Sequence, residues 1–180
     1  RANIWALRRV GVSAVAAVAT VGGIRGDGVA GALVVPDQIV DYTSGRRHTF
    51  FEGVDQPVTH VDFTRPYDDG VRRRLLDAAL RCGEAVVDGA VYGCTQGPRL
   101  ETAAEIARLE RDGCDLVGMT GMPEAALARE AGLRYAALCV VANQAAGRGE
   151  SRSAISLDAI DAVLRATMGR VRTILAELAR

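Results

Sequence analysis

Apolar residues along this chain follow two rhythms. Ser13–Val21 and Gly31–Val40 are runs of small and β-branched apolar residues, long enough for buried strands. Val86–Thr95, Asp115–Met119 and Tyr135–Ala142 are three further strand-like runs, each followed by a polar or glycine-rich elbow. Helical spacing takes over between them. Ile4–Val10 predicts a short helix stopped by Gly11, and Val71–Arg81 sets Leu75, Leu76, Ala79 and Leu80 against a row of arginines. Glu101–Arg111, Pro123–Glu130 and Ser156–Leu178 predict three more helices. Ser156 caps the last one, whose apolar positions are Leu157, Ile160, Val163, Leu164 and Met168. Asp41–Pro66 shows no period and predicts a long loop, of the kind that serves function or packs on a partner. Strands alternating with helices predict an α/β fold: one domain over 1–180, its mostly parallel mixed sheet flanked by helices.

Charge narrows the partners. The 22 basic residues balance 22 acidic ones and 49% of residues are hydrophobic, which gives no reason to expect nucleic acid or an anionic membrane. The apolar stretch Val10–Val21 is too short to span a bilayer and has no signal-peptide flanks. Cys82, Cys94, Cys114 and Cys139 lack C-x-x-C spacing, and His48 and His60 are the only histidines, so no metal site is expected. Cys94 and Cys139 sit in apolar runs, as buried thiols do, and the expected setting is reduced and cytoplasmic.

Candidate chemistry concentrates at the elbows. Gly26–Gly31 matches G-x-G-x-x-G, but a dinucleotide fingerprint must open a helix and here a strand pattern follows, so these glycines read as turn formers. Glu101, after Gly97-Pro98-Arg99-Leu100, reads either as a first-turn carboxylate facing a helix dipole or as a ligand contact. Asn143, after the apolar run ending at Ala142, reads as a cap or a ligand contact. Met119 and Thr120 in Gly118-Met119-Thr120-Gly121-Met122-Pro123-Glu124 read as core and N-cap, and Ala19-Thr20-Val21-Gly22-Gly23 as a strand-to-loop transition.

Taken together these elbows resemble the trimeric purine nucleoside phosphorylase and methylthioadenosine phosphorylase family, from Arg1 to about Leu164. The resemblance implies that Ala19, Thr20 and Thr120 bind phosphate and that Gly22 forms the floor under the base. It implies further that Met119 touches the ribose, and that Leu100, Glu101, Asn143, Gln144 and Ala145 surround the purine. Glu101 with Asn143 matches members acting on 6-oxopurines, where adenine-specific members carry Ser and Asp. Hypoxanthine has a proton on N1 for Glu101 to accept, and Asn143 serves O6 and N7 as the base leaves. At the 5′ end, Ile155, Leu157 and Ile160 stand where ordinary members place a histidine, so the expected substrate is S-methyl-5′-thioinosine, cleaved by phosphate without a cofactor. An inosine or guanosine phosphorylase, a methylthioadenosine phosphorylase and a non-catalytic nucleoside-binding fragment are the alternatives. The family's long loop reaches a neighbouring subunit, which implies a homotrimer and a contact from His60. Family members also carry a phosphate-binding serine or threonine loop and an Arg-His pair ahead of this stretch, so residues 1–180 are expected to be the C-terminal two-thirds of a domain.

Overall fold

The computed structural model of the chain describes residues 1–26, 28–54 and 56–180. Helices α1 (Ala2–Arg9), α2 (Asp69–Arg81), α3 (Ala103–Arg111), α4 (Glu124–Glu130) and α5 (Leu157–Leu178) flank strands β1 (Ala14–Gly23), β2 (Leu33–Val35), β3 (Gln38–Asp41), β4 (Val86–Asp88), β5 (Val91–Cys94), β6 (Leu116–Gly118) and β7 (Arg134–Gln144). The strands form one sheet in the order β3-β5-β6-β1-β7-β2-β4. Pairs β1–β7, β2–β4, β3–β5 and β5–β6 are parallel, while β1–β6 and β2–β7 are antiparallel. The expected α/β fold with a mostly parallel mixed sheet is the one observed.

Two runs expected to be single strands are each divided. Gly31–Val40 breaks into β2 and β3 at Pro36-Asp37, and Val86–Thr95 into β4 and β5 at Gly89-Ala90. Proline offers no N–H to a ladder. The breaks face each other: Asp37 and Gln38 N–H donate to the Ala90 carbonyl at 3.1 and 3.3 Å, and Ala90 N–H donates to Asp37 Oδ1 at 2.9 Å. One bent parallel pair therefore supplies both ends of the sheet, which curls round to meet itself.

Capping sets the helix starts. Asp68 Oδ1 accepts from Val71 N–H at 2.8 Å and Ser156 Oγ from Ala159 N–H at 3.2 Å. Thr102 and Glu105 form a reciprocal capping box on α3. Glu101 thus lies ahead of the cap and does not open the helix, contrary to the dipole reading; Glu105 takes that role. Alternate residues of β7 serve two cores. Tyr135, Ala137, Cys139 and Val141 face the cluster beneath α1 and α4, while Ala136, Leu138 and Val140 face α2 and α5. Strand β7 is buried on both sides, which is why its sequence is an unbroken apolar run.

The glycine cluster at 26–31 leads into β2, not into a helix; Asp27 within it lies outside the described residues. Gly23 has the stricter requirement, since a Cβ there would overlap the backbone of Gly28.

Candidate active site

The elbows do not gather along a common C-terminal edge, because the sheet changes sense between β6 and β1. They gather along a transverse row instead. Val117 pairs with Gly93 on one side and Gly22 on the other, and Gly22 pairs with Asn143. This reversal of strand direction is a switch point of the kind where α/β sheets bind ligands. Beyond the row, β5 and β6 run on towards Thr95, Met119 and Thr120, while β1, antiparallel to β6, enters the row from Ala19 and Thr20.

On the β5–β6 side the groups are already fixed. Thr95 Oγ1 donates to Glu101 Oε1 at 2.6 Å, and Glu101 Oε2 is left without a hydrogen-bond partner among the described residues. The Glu101 carboxylate is half-buried and lines a cleft of about 520 Å³ with Tyr42, Thr95, Gln96, Gly97 and Arg99. Gly97 has φ 63°, and any Cβ there would run into the Met119 thioether. Arg99 grips Glu105 through two contacts of 2.7 and 2.8 Å; these, with the Thr102 N–H, draw the exposed Glu105 carboxyl down to about 2. Leu100 is exposed beside them.

Beneath the β6 elbow lies Tyr92, fully buried, its hydroxyl pushed up to about 12 chiefly by burial. That hydroxyl accepts from Thr120 N–H at 3.3 Å and meets Thr120 Oγ1 at 3.4 Å. Gly118 must be glycine because a Cβ would overlap the Tyr92 hydroxyl. The Thr120 side chain stays exposed. Cys94 Sγ accepts from Met122 N–H at 3.2 Å, and burial raises its thiol.

On the β1–β7 side less is fixed. Ala19 is buried and Thr20 exposed on the opposite face, so a ligand shared by the two would meet backbone at Ala19. Gly22 is packed so closely that a Cβ would press on Val117 and Ala145. Asn143 Nδ2 donates to the neighbouring Gln144 carbonyl at 2.7 Å, and Gln144 Oε1 accepts from Glu150 N–H at 3.0 Å. Asn143 and Gln144 line a second cleft, about 460 Å³, with Ala142, Ala154 and Ser156. Glu101 and Asn143 therefore face separate clefts. Ile155 and Ile160 are half-buried, Leu157 is 69% exposed, and Ala145 is buried. His60 lies among exposed residues 56–62 and lines neither cleft; Asp55 in the same loop lies outside the described residues.

Three residues of this site were not read from the sequence. Thr95 stands where an apolar run turns polar, which is a usable signal. Tyr92 is hidden inside the run. Arg46 is half-buried and bonds to both elbows, yet nothing in Gly45-Arg46-Arg47 separates it from the outward-turned Arg47.

Comparison with known proteins fits this geometry. The model of the phosphorylase superfamily matches residues 1–180. The chain is 55% identical over 178 residues to a probable S-methyl-5′-thioinosine phosphorylase of Pseudomonas syringae pv. tomato, covering 99% of this chain and 72% of that one. It is 45% identical over 152 residues to a probable 6-oxopurine nucleoside phosphorylase of Thermococcus kodakarensis, covering 82% and 57%. A solved adenosine/methylthioadenosine phosphorylase mutant from Schistosoma mansoni, in complex with tubercidin, superposes with TM-score 0.93 at 30% identity, over 98% of this chain and 69% of that one.

Proposed function

Because the chain belongs to the phosphorylase superfamily, we propose that it serves phosphorolysis of S-methyl-5′-thioinosine, giving hypoxanthine and S-methyl-5-thioribose 1-phosphate. The C1′–N9 bond breaks with its electron pair leaving on the base, and a phosphate oxygen captures C1′. Glu101 accepts a hydrogen bond from N1–H of the oxopurine. Asn143 donates its amide to the base as negative charge grows there, a contact that strengthens towards the transition state. Thr120, with backbone near Ala19 and Thr20, holds phosphate close to C1′.

The observation that carries this reading is the state of Glu101. One carboxylate oxygen is occupied by the Thr95 hydroxyl and the other has no hydrogen-bond partner among the described residues, so the site presents an acceptor to the base. Hypoxanthine N1–H satisfies it, whereas adenine N1 would meet it lone pair to lone pair. The strands carrying Thr95 and Asn143 are three interstrand spacings apart, about 14 Å. A base held by both side chains bridges the two clefts across β6 and β1, with Asn143 turning in from its own cleft. The relatives named as acting on methylthioinosine and on 6-oxopurine nucleosides support the same base.

At the 5′ end, the aliphatic Ile155, Leu157 and Ile160 suit a methylthio group. Homotrimer assembly belongs to the proposal: Val54, Val58 and Val61 are exposed on the loop bearing His60, as a segment covering a neighbour's 5′ pocket would be. The enzyme needs no cofactor beyond phosphate as co-substrate and works in the cytoplasm. Among the described residues no helix is long and apolar enough to cross a membrane.

Incubating the full-length protein with methylthioinosine, with and without phosphate, tests the reading. Hypoxanthine should be released only with phosphate, and faster than from inosine. Release without phosphate, or a preference for inosine, would overturn it; the second result would favour the 6-oxopurine nucleoside reading that the exposed Leu157 leaves room for.

A further inference from the structure

We propose that Arg46 is a positioning residue: it staples the Thr95–Gln96 elbow to the Met119–Met122 elbow and so sets base selectivity and phosphate affinity without touching substrate. Its Nε donates to Gln96 Oε1 at 3.1 Å, and one terminal nitrogen donates to the Gln96 carbonyl at 2.7 Å and the Thr95 carbonyl at 3.3 Å. The other terminal nitrogen donates to the Met119 carbonyl at 2.8 Å and to the Met122 carbonyl. Carbonyls at the ends of β5 and β6 have run out of ladder partners, and an unpaired backbone carbonyl in a half-buried place is costly. A planar fork satisfies acceptors on two separate segments at once; a lysine ammonium, a compact point on a flexible stem, does so only in part.

The staple itself is held. Ser44 N–H donates to Gln96 Oε1 at 3.1 Å, and Phe50 N–H donates to Glu130 Oε2 at 2.8 Å. The Phe50 ring meets Trp5 with centroids 5.7 Å apart, which ties the segment after Arg46 to α1. The aperiodic loop thus has a working near half. From the first elbow hangs Glu101, through Thr95; on the second stand Met119 and Thr120. Arg46 fixes the distance between the group that reads the base and the groups assigned to ribose and phosphate.

This inference rests on the reading of Glu101 given above. The test uses the full-length enzyme with Arg46→Met, Arg46→Lys and, as control, Arg47→Met, whose residue makes a single 3.7 Å ion pair with Glu52. Three quantities are read: the ratio of kcat/KM for methylthioinosine over methylthioadenosine, the KM for phosphate, and hydrogen exchange of amides 95–102 and 118–123. In Arg46→Met the ratio should fall about tenfold, phosphate KM should rise several-fold and both segments should exchange faster. Arg46→Lys should lie between, added guanidinium should partly restore Arg46→Met, and Arg47→Met should match the parent.

A ratio is insensitive to the fraction of folded enzyme, so a merely structural residue would leave it unchanged. An unchanged ratio and phosphate KM in Arg46→Met, or unchanged exchange in both segments, overturns the proposal. If Arg46→Met does not fold, Arg46→Lys decides by the same readouts. A parent enzyme that does not distinguish the two nucleosides would count against the Glu101 reading instead, and exchange would then judge the staple alone.

Discussion

The two clefts are prepared to different degrees. Around Glu101, side chains are spoken for before any ligand arrives: Thr95 fixes one carboxylate oxygen, Arg46 joins the elbows and Tyr92 supports Thr120 from below. Around Asn143 one amide N–H is given to the adjacent Gln144 carbonyl, and the nearby start of α5 leaves Leu157 69% exposed. The contrast teaches where binding and turnover should separate. A preset acceptor reads the ground-state base, whereas an amide with a donor still to place acts as charge develops.

Substitutions at four positions can break or sharpen this contrast. The largest effect is expected at the unprepared side: Asn143→Ala should lower kcat about a hundredfold while substrate KM moves little. An unchanged kcat, measured by hypoxanthine release, would remove Asn143 from the chemistry. On the prepared side, Thr95→Val should reduce the 6-oxo over 6-amino preference about five- to tenfold, through KM, with Thr95→Ser close to the parent. A loss in kcat alone would show that the two sides do not divide the work as described.

Smaller still is His60→Ala, expected to raise the KM for methylthioinosine about threefold without altering the melting temperature, since His60 makes its contact across subunits in the proposed trimer. Equal KM values would detach the exposed half of the loop from the site. The smallest effect lies at the α3 cap. Glu105 is drawn from 4.5 to about 2, so its stabilising contribution is complete above about 4.5 and is lost as pH falls towards 2. Glu105→Gln should therefore melt about 1–2 °C lower than the parent at pH 7. That gap should close progressively below pH 4.5; a gap constant with pH would assign it to packing.

Legibility in the sequence followed periodicity and capping. The helix from Ser156 and the buried strand through Ala142 were readable because one has a cap and a 3.6-residue stripe, and the other is apolar on both faces. The breaks at Pro36 and Gly89 were not, although Pro36 carried the signal, because β-branched residues on both sides suit one strand as well as two. The change of strand sense beside β1 depends on pairing between residues some 95 apart (Gly22 with Val117) and leaves no local trace. Glu101, after Gly97-Pro98-Arg99-Leu100, and Asn143, at the end of an apolar run, were singled out as polar elbow residues, and a family likeness supplied their proposed roles. Arg46 was not, since its role arises from acceptors 49 to 76 residues away.

The central claim is that a preset hydrogen-bond acceptor at Glu101, held by Thr95, selects the base. Its most direct test is the ratio of kcat/KM for methylthioinosine over methylthioadenosine in the full-length enzyme at saturating phosphate. Mispairing one or two buried polar groups should favour the 6-oxopurine by about a hundredfold, and Glu101→Gln should bring the ratio down by at least about tenfold. Equal phosphorolysis of the two nucleosides by the parent enzyme would contradict the account.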